Sequence, residues 1–169
     1  IGERVLIVDL DPQGNASTGL GLGRQQRERS SYDLLLNEST VKDAAVLTNV
    51  PNVAIVPSTM DLLGVELMIA AERDRAFRLK SALDNVAEVT IDNKPITYVL
   101  IDCPPSLNLL TINALTAADA VLVPLQCEFF ALEGLSQLLQ TIEQIRSTLN
   151  PRLSIQGVVM TMFDKRNNL

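Results

Sequence analysis

The stretch VLIVDLDPQGN, residues 5–15, runs four apolar residues into two carboxylates, a proline and a glycine. A short, continuously apolar run bounded by turn residues is the pattern of a strand covered on both faces of a parallel sheet, so Asp9 and Asp11 are expected at a strand end. Four further runs repeat the pattern: VAIVPS (53–58), TYVLID (97–102), AVLVPL (120–125) and SIQGVVMTMF (154–163). Helical periodicity fills the gaps, in SYDLLLNE, in VKDAAVL, in residues 60–86 as one long helix or two consecutive ones, in LNLLTINALTAA and in ALEGLSQLLQTIEQIRSTL. Strands alternating with helices predict an α/β fold, a doubly wound and mainly parallel sheet with helices on both faces. Ligands bind such sheets at the carboxyl ends of the strands. Three of the five runs end in chemically pointed residues: Asp9 and Asp11; Asp102 with Pro104 and Pro105; and Pro124 to Glu128. They are expected to converge on one edge of one sheet.

Composition narrows the chemistry. The 169 residues are 47% apolar, enough for the core of one domain spanning 1–169. A net charge of −6 disfavours a large nucleic-acid footprint within the chain. No apolar run reaches the roughly 18 residues of a membrane span, so a cytoplasmic protein is expected. Histidine is absent, which removes Ser-His-Asp and Cys-His nucleophile systems and most zinc sites. Catalysis would rest on carboxylates, amides, hydroxyls or a hard metal ion. Residues 14–30, with four glycines followed by four charged residues, read either as a mobile surface loop or as a segment that rearranges on ligand binding.

Two Asp residues separated by one residue at a strand end admit several chemistries. A haloacid-dehalogenase-type phosphatase pair wants Thr or Val two positions past the second Asp, where this chain has Gln13. A receiver-type acidic pocket would press Asp102 and Lys165 into service at poor spacing. The third reading has Asp11 orienting the water that attacks a γ-phosphate, with Asp9 supporting the metal environment. Against all three stands a pair of turn-forming Asp residues before Pro12. Asp102, closing a hydrophobic strand, is placed as a Walker-B Asp is, to hold Mg²⁺ directly or through water; an N-cap or turn role is the other reading.

Four blocks in order, RVLIVDLDPQGNASTGLG, YVLIDCPPSLNLLTINAL, AVLVPLQCEFFALEGLSQLLQTIEQIR and NPRLSIQGVVMTMFDKR, resemble the ParA/Soj chromosome- and plasmid-partitioning ATPases of the deviant Walker-A superfamily, which includes MinD. The resemblance implies a P-loop NTPase-like sheet, ATP and Mg²⁺ as cofactors, a nucleotide-sandwich homodimer, non-specific DNA binding and hydrolysis stimulated by a centromere-binding ParB-type partner. It implies cytoplasmic, nucleoid-associated work without a membrane. It makes Asp11 the hydrolytic switch residue and Asp102 the Walker-B residue. Asp9, Pro12, Gln13, Gly14 and Asn15 fall in the first nucleotide and switch region, Pro104 and Pro105 in the second. Gln126 and Glu128 lie in a segment near nucleotide and dimer contact, with a turn or surface role as the alternative for each.

The departures carry equal weight. The family's phosphate-binding loop, of the form KGGVGKTT, would precede residue 1, and no G-x-x-x-x-G-K-[ST] occurs in the 169 residues. The sequence is therefore expected to be the middle of a longer protein, and on its own to bind and hydrolyse ATP poorly or not at all. A MinD-like division-site ATPase and a truncated, non-catalytic ParA-like module are the competing readings. The nitrogenase iron protein of the same superfamily bridges its dimer with a cluster held by cysteines, but Cys103 directly follows Asp102 and precedes two prolines, so Cys103 and Cys127 are expected to be buried structural thiols.

Overall fold

The computed structural model describes residues 2–126 and 131–162, with the side chains of 131–133 left aside. Its strands are β1 (Val5–Asp9), β2 (Val46–Leu47), β3 (Val53–Val56), β4 (Thr90–Ile91), β5 (Lys94–Pro95), β6 (Tyr98–Asp102), β7 (Ala120–Gln126) and β8 (Ser154–Thr161). Its helices are α1 (Asn15–Gly19), α2 (Ser31–Leu35), α3 (Val41–Ala44), α4 (Val65–Met68), α5 (Arg78–Leu83), α6 (Leu109–Ala117) and α7 (Ala131–Thr148). The chain divides into two compact units, residues 1–114 and 115–169.

The first unit is built on a four-stranded sheet in the order β2-β3-β1-β6. The three sequence-predicted strands in it are parallel, as their continuous apolar runs require: β1 pairs with β3 on one side and with β6 on the other. Leu6, Val8, Ala54, Ile55 and Val56 are buried, and helix residues Leu34, Leu35, Val41, Val65 and Leu79 complete the core. The expectation of cover on both faces holds for β1 and β3. It does not hold for β6, whose Tyr98 and Leu100 are 59% and 55% exposed.

Three local features refine the expectations. Val46 and Leu47, read as the end of a helix, form the antiparallel edge strand β2 against Ile55 and Ala54, because tertiary pairing outweighs a weak apolar period. Residues 60–86, read as one long helix or two consecutive ones, form the two consecutive helices α4 and α5, each short, after a 3-10 turn at Met60–Gly64. The β4–β5 hairpin had no counterpart in the sequence reading; its turn residues Asp92 and Asn93 adopt φ values of 51° and 58°, which Asp and Asn tolerate better than other side chains.

The second unit pairs β7 with β8 in parallel, with one irregularity between Val121 and Leu122. Helix α7 packs on β7, and Ile142, Ile145 and Leu153 are buried there. Asn150 closes this unit by donating from Nδ2 to the carbonyls of Leu115 and Ala118 at 3.0 and 2.7 Å. Within the first unit, the ends of β1 and β6 share one sheet edge. No described helix is long and apolar enough to cross a membrane.

Candidate functional site

The parallel register pairs Asp9 with Asp102 at the carboxyl ends of β1 and β6. Neighbouring strands lie about 4.8 Å apart, so the two strand-end aspartates are lateral neighbours. The Leu10 amide donates to the Asp102 carbonyl at 2.8 Å and carries the pairing one residue past the strand. The two halves of the sequence that ended in aspartate are thus brought together by register.

Asp9 is fully buried. Its Oδ1 accepts from the Asp11 amide at 3.1 Å, and its Oδ2 accepts from the Ser17 amide at 2.8 Å and from Ser17 Oγ at 2.6 Å. A buried carboxylate needs such donors to offset its lost hydration. Both Asp9 oxygens are committed to the loop that follows β1, which leaves Asp9 as an organiser of that loop. Ser31 Oγ donates to the Asp9 carbonyl at 2.6 Å, tying in the start of α2.

Asp11 sits at the head of this loop and is half-buried. Its Oδ1 accepts from the Gln13 amide at 2.9 Å, an Asx turn that fixes one carboxylate oxygen; no other described donor reaches its side chain. Its carbonyl accepts from Ser58 Oγ, and the Ser58 amide donates in turn to Ser17 Oγ at 3.1 Å. Pro12 and Gly14 are buried while Gln13 and Asn15 face solvent. Gly14, with φ 64°, precedes α1 in the left-handed conformation, and a methyl there would overlap Arg27 Nη1. Residues 14–30, a surface loop or rearranging segment in the sequence reading, therefore contain a short helix and a side-chain clamp built on Arg27.

Asp102 has an exposed side chain that no donor among the described residues reaches. Partial burial, and then the Asp9 and Asp11 carboxylates, push its pKa above the ordinary carboxylate value. Hard oxygens, two neighbouring carboxylates and the absence of a donor among the described residues together suit a divalent cation. No group of three acidic, Cys or His side chains with metal-holding geometry occurs among the described residues. That is compatible with Mg²⁺, which takes one or two carboxylates, keeps several waters and completes its shell with phosphate oxygens.

Past Asp102, Cys103 is half-buried, and its thiol is pushed up to about 12 by burial and by Asp102. A thiol held protonated in this way is a poor cluster ligand. Pro104 is buried, Pro105 exposed. Asn108 caps α6 by accepting from the Leu110 and Thr111 amides at 3.1 and 3.3 Å. A cleft of about 60 Å³ is lined by Pro12, Leu62, Glu66, Asn108 and Leu110 among others, from the loop after β1, the 3-10 turn, α4 and the start of α6. Gln126 closes β7 in the second unit, and Glu128 and Cys127 lie outside the described residues. Ser17, Ser58 and Arg27 were missed in the sequence reading; a lone Ser or Arg in a polar stretch carries no periodic signal.

The AAA domain family profile matches residues 1–155. The chain is 60% identical over 168 residues to the chromosome partitioning protein ParA of Caulobacter vibrioides, covering 99% of this chain and 61% of that protein. It is 48% identical to the sporulation initiation inhibitor protein Soj of Bacillus subtilis, covering 100% of this chain and 64% of that one. Among solved structures it is similar to cobyrinic acid a,c-diamide synthase from Mycobacterium smegmatis with bound ATP analogue and magnesium, at a TM-score of 0.87 and 40% identity over 98% of this chain and 63% of that one. The chain thus spans less than two thirds of the curated relatives it matches.

Proposed function

This chain belongs to the AAA domain family, with ParA and Soj proteins as its relatives, and from that premise we propose that it is the switch-bearing part of a partitioning ATPase. In this reading the protein hydrolyses ATP to ADP and phosphate. It dimerises around nucleotide, binds DNA without sequence preference and turns over when a ParB-type partner engages it, working in the cytoplasm on the nucleoid. The observation that carries the reading is the β1–β6 register that sets Asp102 beside Asp9, with Asp11 two residues past that strand end and near enough to raise the Asp102 pKa, within a sequence 60% identical to a ParA.

Asp11 is the water-orienting residue. One of its oxygens is fixed by the Gln13 amide, and the other is available to accept a hydrogen bond from the attacking water. Asp102 is the metal residue, directly or through water. Bound Mg²⁺ supplies neutralisation of phosphate charge. Pro12, Gln13, Gly14 and Asn15 form the first switch segment, and Pro104 and Pro105 set a stiff exit from β6 in the second. Asp9 holds the first segment in place through its three bonds. Gln126 and Glu128 are the weaker nucleotide-side residues of this proposal.

The test is Mg²⁺-dependent ATP hydrolysis by the complete protein and by its Asp11→Ala variant, with binding of a fluorescent ATP analogue measured alongside. The expected result is unchanged nucleotide binding with turnover reduced on the order of a hundredfold or more. Normal turnover by Asp11→Ala removes Asp11 from the chemistry. A wild-type protein that binds no ATP makes the chain a non-catalytic module.

A further inference from the structure

We infer that Arg27 is a positioning residue for the switch segment: its guanidinium grips the backbone around Asp11 and so sets where the Asp11 carboxylate stands. The inference rests on the reading of Asp11 given above.

Arg27 Nη1 donates to the Ser58 carbonyl at 3.0 Å. Its Nη2 donates to Thr18 Oγ1 at 2.8 Å and to the Leu22 carbonyl at 2.9 Å, with the Gly14 carbonyl at 3.5 Å. One planar group therefore joins the start of α1, its body, the chain just past its end, and the exit of β3. Ser58 is the connecting piece. Its hydroxyl donates to the Asp11 carbonyl and its own carbonyl receives Arg27, so Asp11 and Arg27 hold the same buried residue from two sides. Ser58 also donates its amide to Ser17 Oγ, whose hydroxyl is given to Asp9. The Asp11 loop is closed into a circuit running through Asp9, Ser17, Ser58 and Arg27.

A guanidinium suits this place because it presents several N–H groups in a fixed plane, whereas a lysine ammonium is a compact point donor that cannot span acceptors so far apart. Arg27 Nε is buried without a partner, so the side chain is aimed to serve its terminal nitrogens at the expense of the third. Gly14 supplies the room, since any side chain there would displace Nη1. Catalytic geometry is sensitive at this scale: a displacement of about 1 Å in a positioning group costs on the order of a hundredfold in rate.

The experiment uses the complete protein and compares Arg27→Ala, Arg27→Lys and Ser58→Ala for kcat, ATP affinity and Tm. Expected are a fall in kcat on the order of tenfold or more for Arg27→Ala with ATP affinity changed less than about twofold, little recovery in Arg27→Lys, and partial recovery of Arg27→Ala on adding millimolar guanidinium. Ser58→Ala lowers kcat in the same direction, and the double variant loses less than the sum of the two. Unchanged kcat in a folded Arg27→Ala, or kcat and ATP affinity falling together in step with Tm, overturns the inference. Should Arg27→Ala not fold, Ser58→Ala and Thr18→Val decide on the same readouts. An Asp11→Ala protein that hydrolyses normally overturns the water-orienting reading itself. Loss of turnover in Asp11→Ala with none in the Arg27 and Ser58 variants overturns the positioning role alone.

Discussion

The segments that leave β1 and β6 stand side by side and are built in opposite ways. The one after β1 is tied down at almost every residue: the buried Asp9 carboxylate takes three donors, Ser58 holds the Asp11 carbonyl, and Arg27 grips the backbone from Gly14 to Leu22. The one after β6 begins with an aspartate whose side chain is open to solvent. It continues through two prolines, which have no N–H to give, and is next held at Ser106 and Asn108. One carboxylate is spent on architecture, while the oxygens of its neighbour meet no donor among the described residues. Two aspartates that look equivalent at the ends of similar strands are separated by the donors around them.

The largest effect expected from breaking this contrast is at Asp9. Asp9→Ala strands the partly buried amide of Asp11 and the buried amide and hydroxyl of Ser17, at a cost of about 2–4 kcal/mol. In a chain of this size that lowers Tm by roughly 5–15 °C in thermal unfolding. Asp102→Ala, one strand over, is expected to cost nothing measurable.

A smaller effect of opposite sign is expected at Asp102. Burial and the neighbouring carboxylates raise its folded pKa above the unfolded value of 3.8, so between the two values the folded chain binds more protons than the unfolded one. Stability then falls as pH rises through that window and stays lowered above it. Asp102→Asn should raise Tm at pH 7 in Mg²⁺-free buffer, by only about 1–3 °C because solvent screens so exposed a group. The gain should vanish as the pH is brought down to the ordinary carboxylate range. A gain that persists there would trace to something other than charge.

The smallest effect is chemical. With its thiol pushed up to about 12, Cys103 holds almost no thiolate at pH 8, and peptide mapping should find it alkylated far more slowly than a free cysteine in the same buffer. Fast labelling would mean that the segment after β6 opens.

Much of this contrast was legible in the residues. The apolar runs gave β1, β3, β6, β7 and β8 nearly to the residue, and two of them ending in aspartate pointed to a shared sheet edge. The roles of the aspartates were not legible, because the donors that satisfy Asp9 come from Ser17, eight residues on, and the circuit closes through Ser58, which only the fold brings near. Arg27 was hidden for the same reason: in RQQRERS it is one charge among several, and its acceptors are spread from Gly14 to Ser58. Short elements such as α1, β2 and the β4–β5 hairpin are set by tertiary pairing and turn geometry, where periodicity has too few residues to speak.

Amide hydrogen exchange on the nucleotide-free protein addresses the contrast most directly. The amides of Asp11 and Ser17, which donate to buried Asp9, should exchange orders of magnitude more slowly than those of Cys103, Ser106 and Leu107, which face a segment with few bonds. Equal protection of the two segments, or faster exchange at Ser17 than at Ser106, would contradict a pinned segment after β1 beside an open one after β6.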